Sequence, residues 1–171
     1  MVQKDSVGKL KQKIKKIKIV FTDNDGVLTD SGVYYSAKGE ELKRFSIRDG
    51  MGVERLLEIS GIKTGIITGE TSGSVKKRAE KLKIEDLYLG VKKKTEVLPK
   101  ILSKHKIIAE NFAYIGDDVN DIEIIKKSGF SACPADAIPE IKKIVDYICK
   151  HKGGNGAFRE FAELIIKYSK K

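Results

Sequence analysis

The sequence predicts an α/β fold: a three-layer, Rossmann-like sandwich with a mostly parallel sheet, a β-hairpin flap and no cap domain, formed by residues 1–171 as a single domain. Three observations carry this. Short apolar, β-branched runs such as Ile17-Lys18-Ile19-Val20-Phe21-Thr22 have the composition of strands buried on both faces of a sheet. Stretches of helical periodicity separate these runs, as in consecutive βαβ units. Several runs end abruptly in acids or in Thr-Gly, where an open α/β sheet carries its ligand sites.

In chain order, residues 1–16 form a basic lead-in whose Leu10 and Ile14, followed by Ile17, are spaced as on a helix. The strand at 17–22 comes next and runs into Asp23-Asn24-Asp25-Gly26. Gly32 to Ser36 and Glu41 to Ile47 predict a hairpin turning at Lys38-Gly39, placed to act as a flap over the carboxylates. Met51 to Ser60 is a helix stopped by Gly61. Ile62 to Gly69 is a second buried strand, weakened by Gly65 within it. Helices at about 71–83 and 94–104 flank a short strand at Leu87-Tyr88-Leu89. The strand Phe112 to Gly116 ends in Asp117, Asp118 and Asp121. A helix to about Ser128, a strand at 130–132, a helix near 138–143 and a strand at 145–148 follow. Gly153-Gly154-Asn155-Gly156 interrupts the chain before a last helix from about Ala157 to Tyr168.

Length and composition bound the possibilities. A chain of 171 residues can bury a substantial core, and 40% hydrophobic residues is ordinary for a globular protein. No window is long and apolar enough for a membrane span, and the lysine-rich start lacks a signal-peptide apolar stretch. Cys133 and Cys149 are too few for a disulfide framework and lie in no metal-type Cys-x-x-Cys. The chain reads as cytoplasmic. Of its formal charge of +10, residues 1–18 supply +6 through seven lysines and Asp5. That excess reads as the solvated face of a short amphipathic helix. Without interleaved aromatics for base stacking, it argues against nucleic acid as a partner.

The strand ends suggest chemistry. Asp23 and Asp25 after the first strand, Thr68-Gly69 after the second, and Asp117, Asp118 and Asp121 after a third converge on one sheet edge. So many carboxylates repel one another unless a cation neutralises them or some are protonated. All-oxygen ligation favours a hard divalent ion, with Mg²⁺ the default, and neither His105 nor His151 has a ligand-like spacing. A carboxylate beside such an ion can attack phosphorus, and a second carboxylate can move protons to and from oxygen. Thr68 and the backbone N–H groups after it supply donors to phosphoryl oxygens, and a lysine of Lys92-Lys93-Lys94 supplies charge.

These motifs, in order, resemble those of the haloacid dehalogenase superfamily: Asp23-x-Asp25-Gly-Val-Leu-Thr-Asp, Ile-Ile-Thr68-Gly, Lys94, and Gly116-Asp117-Asp118-x-x-Asp121. Gly39-Glu40-Glu41-Leu42-Lys43-x-Phe45, Ile47-Arg48-Asp49-Gly50-x-Gly52 and Gly-Gly-x-Gly-x-x-Arg159-Glu160 further resemble its capless sugar-acid branch. That branch holds the phosphatases of 3-deoxy-D-manno-octulosonate 8-phosphate and of the nine-carbon 2-keto-3-deoxynononate 9-phosphate. The likeness spans about residues 17–166. It implies Asp23 as nucleophile and Asp25 as acid/base. It implies Mg²⁺ held by Asp23, Asp117 and the carbonyl of Asp25, with Asp121 or Asp118 in support, and phosphate held by Thr68 and Lys94. It also implies a homotetramer whose neighbouring subunit covers each site.

Two departures from the family pattern are present. Asn24 is polar where an aliphatic residue is usual. Glu70 stands where octulosonate phosphatases usually carry Arg and, with Lys81 after Arg78-Ala79-Glu80, looks like the nine-carbon branch. A substrate carrying a carboxylate and a phosphate needs further positive charge. Arg48, Arg78, Lys81 and Arg159 are the candidates, some of them from a neighbouring subunit. The rival readings are a phosphatase of another small ester or of polynucleotide ends, and a phospho-accepting signalling domain. Asp25 argues against the last, because an acid/base beside an acyl phosphate shortens its life.

Overall fold

The computed structural model describes residues 4–169. Helix α1 (Lys4–Lys15) leads into strand β1 (Ile19–Thr22), followed by the hairpin β2 (Thr29–Ser36) and β3 (Gly39–Phe45). Then come α2 (Ile47–Ser60), β4 (Lys63–Ile67), α3 (Gly73–Lys81), β5 (Asp86–Tyr88), α4 (Leu98–His105) and β6 (Phe112–Ile115). The chain closes with α5 (Ile122–Lys127), β7 (Phe130–Cys133), α6 (Pro139–Lys142), β8 (Tyr147–Ile148) and α7 (Ala157–Ser169).

The sheet order is β5-β4-β1-β6-β7-β8, and every pair in it is parallel. The chain steps from β1 to β4 and β5 on one side, then returns to β6 on the other side of β1. The C-terminal ends of β4, β1 and β6 therefore flank a topological switch point, where open α/β sheets form ligand crevices.

Strand alternation builds a core on each face. Val20, Ile66, Ala113 and Ile115 pack with residues of α2, α3 and α7. Ile19, Phe21, Ile67, Phe112 and Tyr114 pack with those of α4, α5 and α6 on the other face. Gly65 is a necessity rather than a weakness: a Cβ there would lie 2.2 Å from the Phe21 ring.

The hairpin strand β2 begins at Thr29 rather than Gly32, β3 spans Gly39–Phe45 rather than 41–47, and β8 is shorter than the expected 145–148. Two helix boundaries also differ, for local reasons. The helix expected from Met51 starts at Ile47, because the Ser46 hydroxyl accepts the Asp49 N–H and caps it. The helix expected over 94–104 is a 3₁₀ turn (Lys94–Glu96) followed by α4, whose second residue is Pro99. Proline is tolerated in the first turn of a helix, where its missing N–H would be unpaired anyway, so Pro99 marks the start of α4.

The lead-in helix is amphipathic as expected: Ile14 on it, and Ile17 just past its end, are buried against the body of the fold. Two of its neighbouring lysines are ion-paired rather than merely solvated, Lys13 with Asp146 at 2.5 Å and Lys16 with Glu110 at 2.8 Å. The late glycine segment is an anchoring device. Asp49, buried on α2, accepts the N–H of Gly156 (3.1 Å) and of Arg159 (2.9 Å) and so caps the start of α7. Among the described residues no helix is long and apolar enough to cross a membrane.

Candidate active site

β1 delivers Asp23 to the sheet edge, and the Asp23 N–H still bonds to the Ile115 carbonyl at 3.0 Å, so the first carboxylate is fixed by the sheet itself. The chain then folds back. The Asn24 carbonyl accepts the N–H groups of Val27, Leu28 and Thr29. Gly26 sits at φ +92°, and a Cβ on it would lie 1.9 Å from Asp117 Oδ2. A Cβ on Gly153 would similarly meet the Gly26 carbonyl at 1.9 Å. The turn after β1, the end of β6 and the glycine segment thus interlock where only hydrogen atoms fit.

Asp121 organises the opposite wall from the 3₁₀ turn Val119–Asp121. It is fully buried, and its Oδ2 accepts the N–H groups of Asp117 (2.9 Å) and Asp118 (3.3 Å). Its Oδ1 accepts from the Tyr114 hydroxyl and from Lys94 Nζ, each at 2.7 Å. Lys94 reaches Asp23 Oδ1 at 2.7 Å as well, bridging the two buried acids. Of the lysine triplet, Lys92 and Lys93 are exposed and Lys94 is buried.

Asp23, Asp117 and Asp121 each offer an oxygen within 4.8 Å of the others, with one ammonium among them. Burial, then the charge of Asp121, raise Asp23 to about 7 against the opposing pull of Lys94. Burial, then the charges of Asp23 and Asp121, raise Asp117 to about 8. Burial alone would lower Lys94, but the two acids hold it above its ordinary value. Asp117 Oδ1 is buried without a hydrogen-bond partner. An orphaned carboxylate oxygen in a cluster short of positive charge fits a hard, oxygen-liganded divalent cation.

Asp23 and Asp117 line a cleft of about 420 Å³, with Asp25, Thr68, Gly69, Glu70 and the exposed Asp118 on its wall. Thr68 is buried at the end of β4, and its hydroxyl accepts the Glu70 N–H at 3.2 Å. Asp25 accepts from Asn24 Nδ2 (3.0 Å) and Thr29 Oγ1 (3.2 Å) on one oxygen and from Lys43 Nζ (2.7 Å) on the other. The polar Asn24 thus holds Asp25.

The basic candidates lie elsewhere. Arg48 is exposed on the first turn of α2. Arg78 donates to the Ser46 carbonyl at 2.9 Å and lies over the Phe45 ring. Arg159 donates to Glu163 at 2.8 Å. Lys81 lines a separate groove of about 510 Å³ beside Thr64 and Asp86. Within one chain, none of the four lines the carboxylate cleft. Sequence reasoning missed Lys43, Asn24, Thr29 and Tyr114 as site residues. For Lys43 a signal existed: a lysine in the Gly-Glu-Glu-Leu-Lys run beside the expected cleft.

A model of haloacid dehalogenase-like hydrolases matches residues 86–161. The 3-deoxy-D-manno-octulosonate 8-phosphate phosphatase of Haemophilus influenzae is 37% identical over 158 residues, covering 92% of this chain and 87% of that protein. The chain belongs to the haloacid dehalogenase-like hydrolases. Within this family it falls in the branch of those phosphatases. The Escherichia coli K12 protein of the same name is 40% identical over 154 residues, 90% of this chain and 81% of the relative. The Moraxella catarrhalis phosphatase, solved in complex with magnesium ion, phosphate ion and KDO, has a TM-score of 0.90 and 37% identity, covering 94% of this chain and 92% of that one.

Proposed function

We propose that this hydrolase cleaves the phosphate ester of a 3-deoxy-ulosonate through an aspartyl-phosphate on Asp23, with Mg²⁺ as cofactor. The observation that carries the reading is the buried Asp23–Lys94–Asp121 bridge beside the unpartnered oxygen of Asp117, at the switch point of the sheet. Asp23, Asp117 and the Asp25 carbonyl would hold the ion, with Asp118 or Asp121 in support. Bound there, Mg²⁺ supplies positive charge to the phosphoryl oxygens.

The protein's own groups account for the rest. Asp23 is the nucleophile and is held by the sheet rather than by a mobile loop. Thr68, the N–H groups after it, and Lys94 surround the transferred phosphoryl with donors and charge. Asp25 protonates the departing alcohol, then takes a proton from the water that attacks the acyl phosphate. Asp121 acts at one remove, holding Lys94 and the backbone of Asp117.

The named relatives favour the eight-carbon octulosonate 8-phosphate as substrate. Glu70 on the cleft wall supports a second reading, the nine-carbon ester, because a carboxylate accepts hydrogen bonds from additional hydroxyls and arginine does not. Tyr34, Tyr35, Leu42 and Ile47 are exposed on and beside the hairpin, which supports a homotetramer packed through it. Arg48, Arg78, Lys81 and Arg159 then serve a neighbouring subunit's site rather than their own. Two cysteines buried as free thiols agree with a cytoplasmic setting.

Asp23→Asn keeps the shape of the nucleophile and removes its charge. Turnover of octulosonate 8-phosphate with Mg²⁺ should fall to background in this variant, and appreciable residual turnover would refute the covalent route.

A further inference from the structure

The hairpin strand β3 is otherwise exposed or half-buried, yet Lys43 on it is buried, with 1% of its side chain accessible. Lysine is almost never fully buried unless paired. Lys43 Nζ lies 2.7 Å from Asp25 Oδ2 and 3.5 Å from Glu40 Oε2. Glu40 in turn accepts from the Ser72 hydroxyl and from Ser74 Oγ at 3.2 Å, both at the start of α3. A continuous polar chain therefore runs from α3 through the hairpin to the carboxylate of Asp25. That carboxylate is gripped on both oxygens, by Asn24 and Thr29 on one and by Lys43 on the other.

We infer that Lys43 is a positioning residue for Asp25, holding the proton-transferring carboxylate at its working angle and linking that angle to the seating of the hairpin. The inference rests on the reading of Asp25 as acid/base. Two carboxylates serve one ammonium for a reason that follows from the cycle. In the first half-reaction an Asp23 oxygen bonds to phosphorus, the ester P–O bond breaks, and the Asp25 proton goes to the leaving oxygen. In the second, water oxygen bonds to phosphorus, its proton goes to Asp25, and the P–O bond to Asp23 breaks to release phosphate. Asp25 is therefore an anion for only part of the cycle. Glu40 keeps the buried Lys43 paired during the remainder, when an unpartnered ammonium would be costly.

The test uses two substrates of nearly the same shape, phenyl phosphate and 4-nitrophenyl phosphate, with the full chain and Mg²⁺. Nitrophenolate is a weak base and departs with little help, whereas phenolate needs its proton. kcat/KM covers only the steps through departure of the alcohol, so it isolates the acid role. Proton transfer by a placed side chain is worth roughly 10²–10⁴-fold. Asp25→Asn should raise the nitrophenyl-to-phenyl ratio of kcat/KM by roughly that factor, and Lys43→Met by at least about 10-fold. Lys43→Arg, which keeps the charge, should restore most of the wild-type ratio. Because both substrates are read on one preparation, a partly unfolded sample lowers both rates equally and leaves the ratio intact. A large ratio in Asp25→Asn with a wild-type ratio in Lys43→Met overturns the inference and leaves the proposed function standing. An unchanged ratio in Asp25→Asn overturns the acid role and the inference with it.

Discussion

Removing the divalent ion should make the stability of this protein strongly pH-dependent, through Asp23 and Asp117. Asp23 is raised from 3.8 to about 7, chiefly by burial and then by the charge of Asp121. Between those two values the unfolded chain has released its proton and the native state still holds it. The native state then binds more protons than the unfolded state, so stability falls as pH rises through this window. The loss is complete above the folded value, and below 3.8 it vanishes. A shift of about 3 units at about 1.4 kcal/mol each corresponds to roughly 4 kcal/mol. Asp117, at about 8, extends the window upward, but its shift already contains the repulsion from Asp23, so the two do not add. For a chain of this size 1 kcal/mol moves Tm by about 2–4 °C, so the loss is on the order of 10 °C. The assay is thermal unfolding from pH 5 to 8.5, in EDTA and in excess Mg²⁺. In EDTA the part of this loss that falls between pH 5 and 7, roughly 3 kcal/mol, should lower Tm by about 5–10 °C relative to the double variant Asp23→Asn with Asp117→Asn, whose amides do not titrate. In Mg²⁺ the drop should disappear, because the ion binds the ionised native site and not the unfolded chain. A flat profile in EDTA, or an equal fall in the double variant, would refute the reasoning.

Three further outcomes are expected. Glu70→Arg should shift the ratio of kcat/KM for the nine-carbon 9-phosphate over the eight-carbon 8-phosphate toward the latter; an unmoved ratio leaves Glu70 only a charge near a helix start. Tyr34→Glu with Leu42→Glu, at exposed positions of the hairpin, should yield monomers in sedimentation velocity and weaken turnover, and a fully active monomer would remove the tetramer from the mechanism. Gly65→Ala, whose methyl would lie 2.2 Å from Phe21, should cost about 1–3 kcal/mol in urea unfolding with the metal site unaltered.

The strand ends were legible in the sequence because their signal is local. A β-branched run followed by acid and glycine marks where a buried strand stops, and parallel topology then brings such ends to one edge, as with Asp23, Thr68 and Asp117. The helix stopped by Gly61 and the amphipathic α1 were legible for the same reason, through a cap residue and a period. What only the tertiary structure decided is which side chains meet across long separations. Lys43 to Asp25 and Asp49 to Arg159 are contacts between distant segments, and neither residue's neighbours in sequence encode its partner. Burial likewise depends on the whole fold. Asp121 and Asp118 stand three apart in one motif, yet one is sealed beneath Lys94 and Tyr114 while the other lies exposed. Arg78 shows the converse limit: its charge was apparent from the sequence, but its bond to the Ser46 carbonyl depends on the packing of α3 against the end of the hairpin. Residue type and spacing determine what chemistry a strand end can offer. Packing determines which groups are desolvated and paired, and hence which carry that chemistry.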